Sequence, residues 1–171
     1  SASTTSSAST TPSPARHLYE LLLTTPMESN GLPTYLSITR VAEQVYADAG
    51  PDNRVGSIRA ELAGVPSTEG LFLVFDVFKD TASAQQHSFN GEPGPTPPTT
   101  GLVPVSRGTA WCDSDQYGAR CFGIEGDVFV TSGASARDLI NAPNGWSATD
   151  AQALVEVGLT HVIALEKKGH A

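Results

Sequence analysis

The sequence predicts an α+β domain, in which helices pack on an antiparallel sheet. Two observations lead to this class. Strand-sized segments follow one another through short turns, and strands do not alternate regularly with helices as they do in parallel sheets. Helical periodicity with capping residues occurs in only three segments. The order of these elements, strands and a helix followed by strands and a helix again, indicates a weak β-β-α duplication.

Two of the helices have recognisable starts. Ser13 is an N-cap with Pro14 at the first helical position, and this first helix should end before Pro26. Asp80 caps a second helix, which we expect to run to about Phe89. The apolar stripe of the first helix consists of His17, Leu18, Leu21 and Leu22.

The last helix has the strongest pattern. Ser147 is its cap, Asp150 completes a capping-box arrangement, and Gly169 is a natural stop. Gly158 lies inside this helix, where glycine costs about 1 kcal/mol relative to alanine, so we interpret it as a point of close helix–sheet approach. One stripe should face the core: Ala151, Leu154, Val155, Gly158, Val162 and Leu165.

The strands differ in how many faces they bury. Residues 55–62 alternate between apolar and polar side chains, as in a half-buried strand. The segment Leu71–Phe78 is apolar on both faces and should be central in the sheet. In the alternating strand, Ile58, Ala60 and Leu62 should face one way, and Ser57, Arg59 and Glu61 the other. Further strands are predicted at residues 35–41, 103–110, 120–125 and 128–132.

The charge of the chain limits its partners. The net charge is −8, and the ten lysines and arginines form no cluster. Because nucleic-acid binding needs clustered cations that displace phosphate counterions, we exclude nucleic acid as a partner. No apolar run approaches the ~20 residues that span a bilayer, so we expect no transmembrane segment in this chain.

The first residues form a distinct segment. Residues 1–13 are almost entirely Ser, Thr, Ala and Pro, a composition that cannot bury enough apolar surface to offset its ordering entropy. We predict a disordered or extended tether there, followed by a single α+β domain over residues 14–171. Since the chain begins at Ser1 and its only methionine is Met27, we expect that an upstream segment was removed, and a membrane tether would fit there.

The chain has two cysteines, Cys112 and Cys121, too few for a structural zinc site. Two strands joined by a short loop would place them face to face. We predict a disulfide, which would add about 2–3 kcal/mol by loop closure, and the alternative is a pair of reduced thiols in a cytosolic protein. Disulfides persist mainly outside the cytosol, so the pair favours an exported protein.

We predict no catalytic residue, no metal site and no cofactor. The four histidines share no metal-ligand spacing. Asp113 and Asp115 match positions of a calcium loop, but Ile124 replaces the glutamate that closes such a loop, so we prefer a hairpin. Asp76 interrupts the most apolar strand. It is either a general base or, as we prefer, a carboxylate that reaches a backbone donor or an arginine.

Three aromatic residues occur in or beside loops, namely Trp111, Tyr117 and Trp146. If their faces are exposed together, they form a patch that binds sugar or protein. If they are not, they close the ends of the sheet. They are our candidate binding residues.

The layout resembles that of small extracytoplasmic lipoproteins of bacteria. The shared features are the Ser/Thr-rich tether, one modest α+β domain, a close cysteine pair, and the run Leu21-Leu22-Leu23-Thr24-Thr25-Pro26 followed by Gly31-Leu32-Pro33. In such proteins a lipidated cysteine precedes the tether. The resemblance implies a periplasmic or outer-surface location and a membrane anchor upstream, and it transfers no catalytic residues.

Three functions follow from these observations. We expect a non-catalytic extracytoplasmic accessory or binding protein, associated through a protein partner with a membrane complex. One alternative is a small-ligand or sugar-binding domain that uses the loop aromatics. A second alternative is a small enzyme with an Asp/His acid–base pair, which a deep pocket joining Asp76 to His87 or His161 would favour.

Overall fold

The structure is a computed structural model of the 171-residue chain. It describes residues 13–27, 38–46, 50–62, 71–87, 109–115, 118–135 and 148–169. Within them, one six-stranded antiparallel sheet carries three helices, which confirms the predicted α+β class. The elements are α1 (Pro14–Thr24), β1 (Ile38–Val45), a 3-10 turn (Pro51–Asn53), β2 (Arg54–Leu62), β3 (Leu71–Phe78), α2 (Thr81–Gln86), β4 (Thr109–Asp115), β5 (Gly118–Glu125), β6 (Val128–Ser135) and α3 (Ala148–Gly169).

The sheet consists of two three-stranded meanders placed side by side. Its strand order is β1-β2-β3-β6-β5-β4, so the last strand of each meander meets the other at the centre. A helix follows each meander, α2 after the first and α3 after the second. The predicted duplication is therefore present, and each unit contains three strands followed by a helix.

One side of the sheet, which we call the helix face, holds the main core under α1 and α3. Alternate residues of β3 supply its centre, because successive side chains of a strand point to opposite faces. Leu73, Phe75 and Val77 are fully buried there. The predicted stripe of α3 is buried against them, as is the apolar face of α1.

Gly158 brings α3 close to the sheet. A β-carbon at this position would lie 2.8 Å from Val130 Cγ1 and 3.3 Å from Leu73 Cδ1. The interpretation of this glycine as a point of close approach is confirmed. A larger residue would push the helix away from the two central strands.

The first helix begins as predicted. The Ser13 hydroxyl accepts a hydrogen bond from the backbone N–H of Arg16 at 3.2 Å, with Pro14 at the first helical position. The predicted stripe was wrong at His17, which is exposed. The helix buries Ala15, Leu18, Tyr19 and Leu22. The buried face is thus rotated by part of a turn toward Tyr19, whose ring packs beside Gly56.

Several element boundaries differ from the sequence-based prediction. β1 continues to Val45, beyond its predicted end at residue 41, and β4 continues to Asp115, beyond its predicted end at residue 110. The beginnings of the two predicted strands, residues 35–37 and 103–108, lie outside the described residues. The second helix ends at Gln86, not at Phe89, because His87 adopts an extended conformation with ψ 138°. The predicted cap of the last helix, Ser147, also lies outside the described residues, as do residues 1–12 of the predicted tether.

Candidate functional site

The other side of the sheet, which we call the second face, combines an aromatic cluster with a polar one. The short helix α2 lies on this face, next to β3 and β6. Asp80 caps it by accepting a hydrogen bond from Ser83 N–H at 2.8 Å, and the hydroxyl of Thr81 donates to the Asp127 carboxylate at 2.8 Å. These contacts fix the position of His87, which directly follows α2.

The aromatic cluster crosses four strands, from β4 to β3. Phe122 on β5 and Phe129 on β6 have ring centroids 6.1 Å apart. Trp111 on β4 lies 5.5 Å from the Phe122 ring and edge-on to Phe129 at 6.1 Å. His87 continues the row, with its ring 4.9 Å from Phe129 and 5.0 Å from Phe78. Such pairs prefer offset and edge-to-face geometries, which these distances allow.

Of the three predicted binding aromatics, the structure describes one. Trp111 is half-buried and packs on two phenylalanines, so its ring serves at least partly to close the sheet at β4. Tyr117 and Trp146 lie outside the described residues. The shared aromatic patch therefore stays a prediction.

The polar cluster, which we call the Asp76 cluster, consists of Arg54, Ser57, Asp76 and His87. The Ser57 hydroxyl donates a hydrogen bond to Asp76 Oδ1. Arg54 Nη1 lies 3.3 Å from the same oxygen, and His87 Nε2 lies 4.0 Å from Oδ2. Asp76 is only 8% exposed, so these groups supply the compensation that a buried charge requires.

Asp76 thus reaches an arginine, as the preferred interpretation expected. Ser57 and Arg54 come from β2, where Ser57 pairs directly with Asp76 across the two strands. Sequence reasoning placed Ser57 on the polar side of its strand but did not connect it with Asp76. The connection depends on the register of β2 against β3, and a β-bulge between Arg54 and Gly56 shifts that register.

His87 is held neutral by its surroundings. Burial lowers its pKa, and the positive charge of Arg54 acts in the same direction, whereas Asp76 opposes both. A neutral imidazole can act as a general base, although the 4.0 Å between His87 Nε2 and Asp76 Oδ2 is too long for a hydrogen bond that would orient it. The Ser57 proton, however, is donated to Asp76, so this serine is not an activated nucleophile of the Ser–His type.

The two cysteines lie face to face on neighbouring strands, as predicted. Cys112 and Cys121 are directly paired across β4 and β5, with Cα atoms 4.1 Å apart, and they form a disulfide. Cys121 is fully buried on the helix face, and Cys112 packs against the same core. The disulfide joins the edge strand β4 to its neighbour.

The opposite edge of the sheet is formed by β1. All described β1 side chains are exposed except Arg40, which is half-buried. Val41 is 37% exposed and Val45 46%, and they are the exposed large hydrophobic residues of the described chain. No described strand pairs with the outer side of β1. Sequence analysis missed this surface, because periodicity does not say which strand lies at an edge.

Other site types find no support within the described ranges. No group of three or more His, Cys, Asp or Glu side chains in them is arranged to hold a metal ion. No described helix has the length and apolar character needed to cross a membrane. No protein-family model, curated protein or solved structure matches the chain.

Proposed function

We propose that this chain is a non-catalytic accessory or binding protein of the bacterial cell exterior, which binds a protein partner of a membrane complex along β1. The observation that carries the proposal is the position of β1 at the edge of the described sheet. Roughly half of the backbone donors and acceptors of this eight-residue strand point away from β2, and the strand carries two exposed valines. Extended segments of partner proteins bind such edges by adding a strand.

The edge has features that favour a specific partner over indiscriminate pairing. Proteins protect free edges with charges and bulges. Glu43 carries a charge on this strand and forms an ion pair with Arg59 of β2 at 3.3 Å. A bulge interrupts the register between Ala42 and Gln44. A partner must match this bend, which limits the segments that can pair.

The disulfide supports the location outside the cytoplasm. Cytosolic reductants keep most protein thiols reduced, whereas exported proteins retain disulfides. The association with a membrane complex rests on the layout resemblance, in which a lipidated cysteine upstream of the tether would hold the domain near the membrane. The Asp76 cluster also fits a non-catalytic domain, because Asp76 is neutralised by groups of its own sheet.

Site-specific photocrosslinking in cells tests the proposal. A photoreactive residue at Val41 or Val45 should crosslink to one membrane-associated protein, and the same residue at Gln152, exposed on α3, should not. A Val41→Lys/Val45→Lys chain should lose recovery of that partner from solubilised membranes, while Gln152→Lys keeps it. Equal crosslinking from all three positions, or from none, would contradict the proposal.

The contact between His87 and Asp76 favours one second candidate, a small enzyme that uses this pair as its acid–base group. The supporting observation is the 4.0 Å distance between His87 Nε2 and Asp76 Oδ2 in a desolvated setting. A hydrolysis assay with chromogenic esters, phosphates and glycosides tests it. An activity that His87→Gln abolishes in a folded chain would support the enzyme. If no substrate is turned over faster than in buffer alone, the enzyme candidate is excluded.

A further inference from the structure

Arg40 on β1 differs from the neighbouring arginines in lacking a carboxylate. Arg16, Arg54 and Arg59 each form at least one ion pair, whereas Arg40 forms none with a described residue. Its Nε donates a hydrogen bond to the Leu23 carbonyl oxygen at the end of α1, at 3.4 Å. The two terminal nitrogens have no partner in the described part of the chain, and solvent reaches them, since the fully buried atoms without a partner do not include them. Arg40 can therefore bind a further acceptor.

The charge of Arg40 is partly desolvated. The residue is half-buried, burial lowers the pKa of its guanidinium, and no described charge opposes this effect. Lys168 of α3 adds a second positive charge to this region, because both it and Arg40 lower the pKa of His161. Burying a charge is unfavourable unless an opposite charge compensates it. The helix face beside β1 thus holds a cation that the described residues do not neutralise.

A strand added to β1 would bring a side chain next to this cation. Side chains that lie directly opposite on neighbouring strands share a face, with β-carbons about 4.5–5.5 Å apart. Arg40 pairs with Ala60 of β2, which belongs to the core under the helices, so the residue opposite Arg40 would lie on the helix face. The residue opposite Val41 would lie on the second face, against a side chain that is 37% exposed.

We propose that the partner segment is acidic at this register, with a glutamate or aspartate whose carboxylate binds the Arg40 guanidinium and with β-branched residues on either side. The inference rests on the proposed function and adds the chemistry of the partner. The planar guanidinium matches a carboxylate. Glu43, the other charge of β1, is already paired with Arg59 at 3.3 Å, so the strand needs an anion rather than a cation.

The net charge of the chain does not prevent this contact. At −8 it repels an acidic segment at long range. Screening limits that repulsion to about 8 Å at physiological ionic strength, whereas the contact with Arg40 acts over a hydrogen-bond distance. Specificity for the partner then comes from one carboxylate at the right register and not from overall charge.

Three symmetric seven-residue peptides are the probes, because they have the same pattern in both strand directions. The first is Thr-Thr-Val-Glu-Val-Thr-Thr, and the others carry Gln or Lys at the centre. NMR titration of the folded chain should show the Glu peptide binding roughly tenfold more tightly than the Gln peptide, as expected for a charge-assisted hydrogen bond. The Lys peptide should bind most weakly. Only the Glu peptide should shift the Nε signal of Arg40.

Variants of the chain locate the effect. In an Arg40→Gln chain, the Glu and Gln peptides should bind equally. Lys79→Gln is the matched control, because Lys79 is exposed and its loss changes the net charge by the same amount. This control should keep the tenfold preference. If Arg40→Gln does not fold, the response of the Arg40 Nε signal in the unaltered chain decides the question.

The proposal is overturned if the Glu peptide binds no more tightly than the Gln peptide, if Arg40→Gln keeps the preference, or if inorganic phosphate at equal concentration displaces the Glu peptide. The last result would make Arg40 a general anion site that needs no added strand. Crosslinks from Val41 or Val45 to a segment without a carboxylate would overturn this inference alone. Peptide selectivity without a crosslinked partner in cells would support this chemistry and contradict the proposed function.

Discussion

The two faces of the sheet stabilise the protein in different ways. The helix face buries aliphatic and aromatic side chains under two helices, with Ser132 and His161 among its few polar groups. The second face carries an aromatic row and ion pairs, and of the described helices only the six-residue α2 lies on it. Successive side chains of β3 point alternately to the two faces, so this strand contributes to both. One strand can therefore contribute to a core through one face and to a polar site through the other.

Two phenylalanines on β3 provide the sharpest test of this difference. Phe75→Ala on the helix face should lower the free energy of unfolding by about 3–5 kcal/mol, because the ring is fully buried. Phe72→Ala on the second face should lower it by about 1–2 kcal/mol, because Phe72 is half-buried. Urea unfolding of both variants measures this. Equal losses would show that the second face is packed as tightly as the helix face.

The two histidines allow a comparison by pH. Unfolded His161 takes up a proton near pH 6.5, whereas in the folded chain its pKa is about 4. The free energy of unfolding should therefore fall by up to about 3 kcal/mol as the pH drops through this interval. The charges of Arg40 and Lys168 disfavour the protonated imidazole, whereas the Leu22 backbone favours it without offsetting burial, which is the largest cause of the low pKa. The Phe75 ring faces the imidazole edge-on.

His87 should contribute less to this loss, because Asp76 favours its protonated form. Unfolding at pH 7 and pH 4.5 measures both contributions, with His161→Phe and His87→Phe as the variants. His161→Phe should remove more of the pH dependence than His87→Phe. The reverse order would mean that the second face holds the more strongly desolvated histidine.

The disulfide stabilises the edge strand β4 from the helix face, where both cysteines lie, while the neighbouring Trp111 points to the second face. In a Cys112→Ala/Cys121→Ala chain the free energy of unfolding should fall by about 2–3 kcal/mol. The reason is that the bridge closes a loop between residues nine positions apart and so lowers the entropy of the unfolded chain. Amide exchange in β4 should accelerate more than exchange in β2. Uniform acceleration across the sheet would show that β4 is not stabilised locally by the bridge.

Two glycines give the smallest expected contrast. Gly158→Ala places a methyl group 2.8 Å from Val130 Cγ1, and overpacking should outweigh the helical preference of alanine by about 1 kcal/mol. Gly133→Ala meets the ring of Phe72, which is half-buried and free to shift, so its effect should be within about 0.5 kcal/mol. Thermal unfolding of the two variants measures both changes in stability. A stabilised Gly158→Ala chain would mean that α3 can move outward at little cost.

Much of the fold followed from local patterns. Ser13, Asp80 and the α3 stripe marked helices because caps and periodicity act over a few residues. The alternation of residues 55–62 correctly placed Ile58 and Ala60 on one face and Ser57 on the other. The prediction missed the continuation of β1 to Val45, because an exposed edge strand has no buried side to create a pattern.

The candidate sites followed from the sequence only in part. Pairing of Cys112 with Cys121 was readable, because the two lie close in the chain. The Asp76 cluster was not, since Arg54 and His87 reach Asp76 through strand register and the end of α2. The cleft that His161 lines lies between the end of α1 and the second half of α3. Its shape depends on how these two helices cross, and no local sequence pattern specifies that crossing.

The strand order has a consequence for the chain as a whole. Strands β1–β3 and β4–β6 are each consecutive in sequence, and among the described strands the two groups pair through β3 and β6. A break in the chain between α2 and β4 would leave both groups intact, with complementary central strands. The molecule is thus organised as two half-chains that could recognise each other as separate polypeptides, in the manner of a split protein.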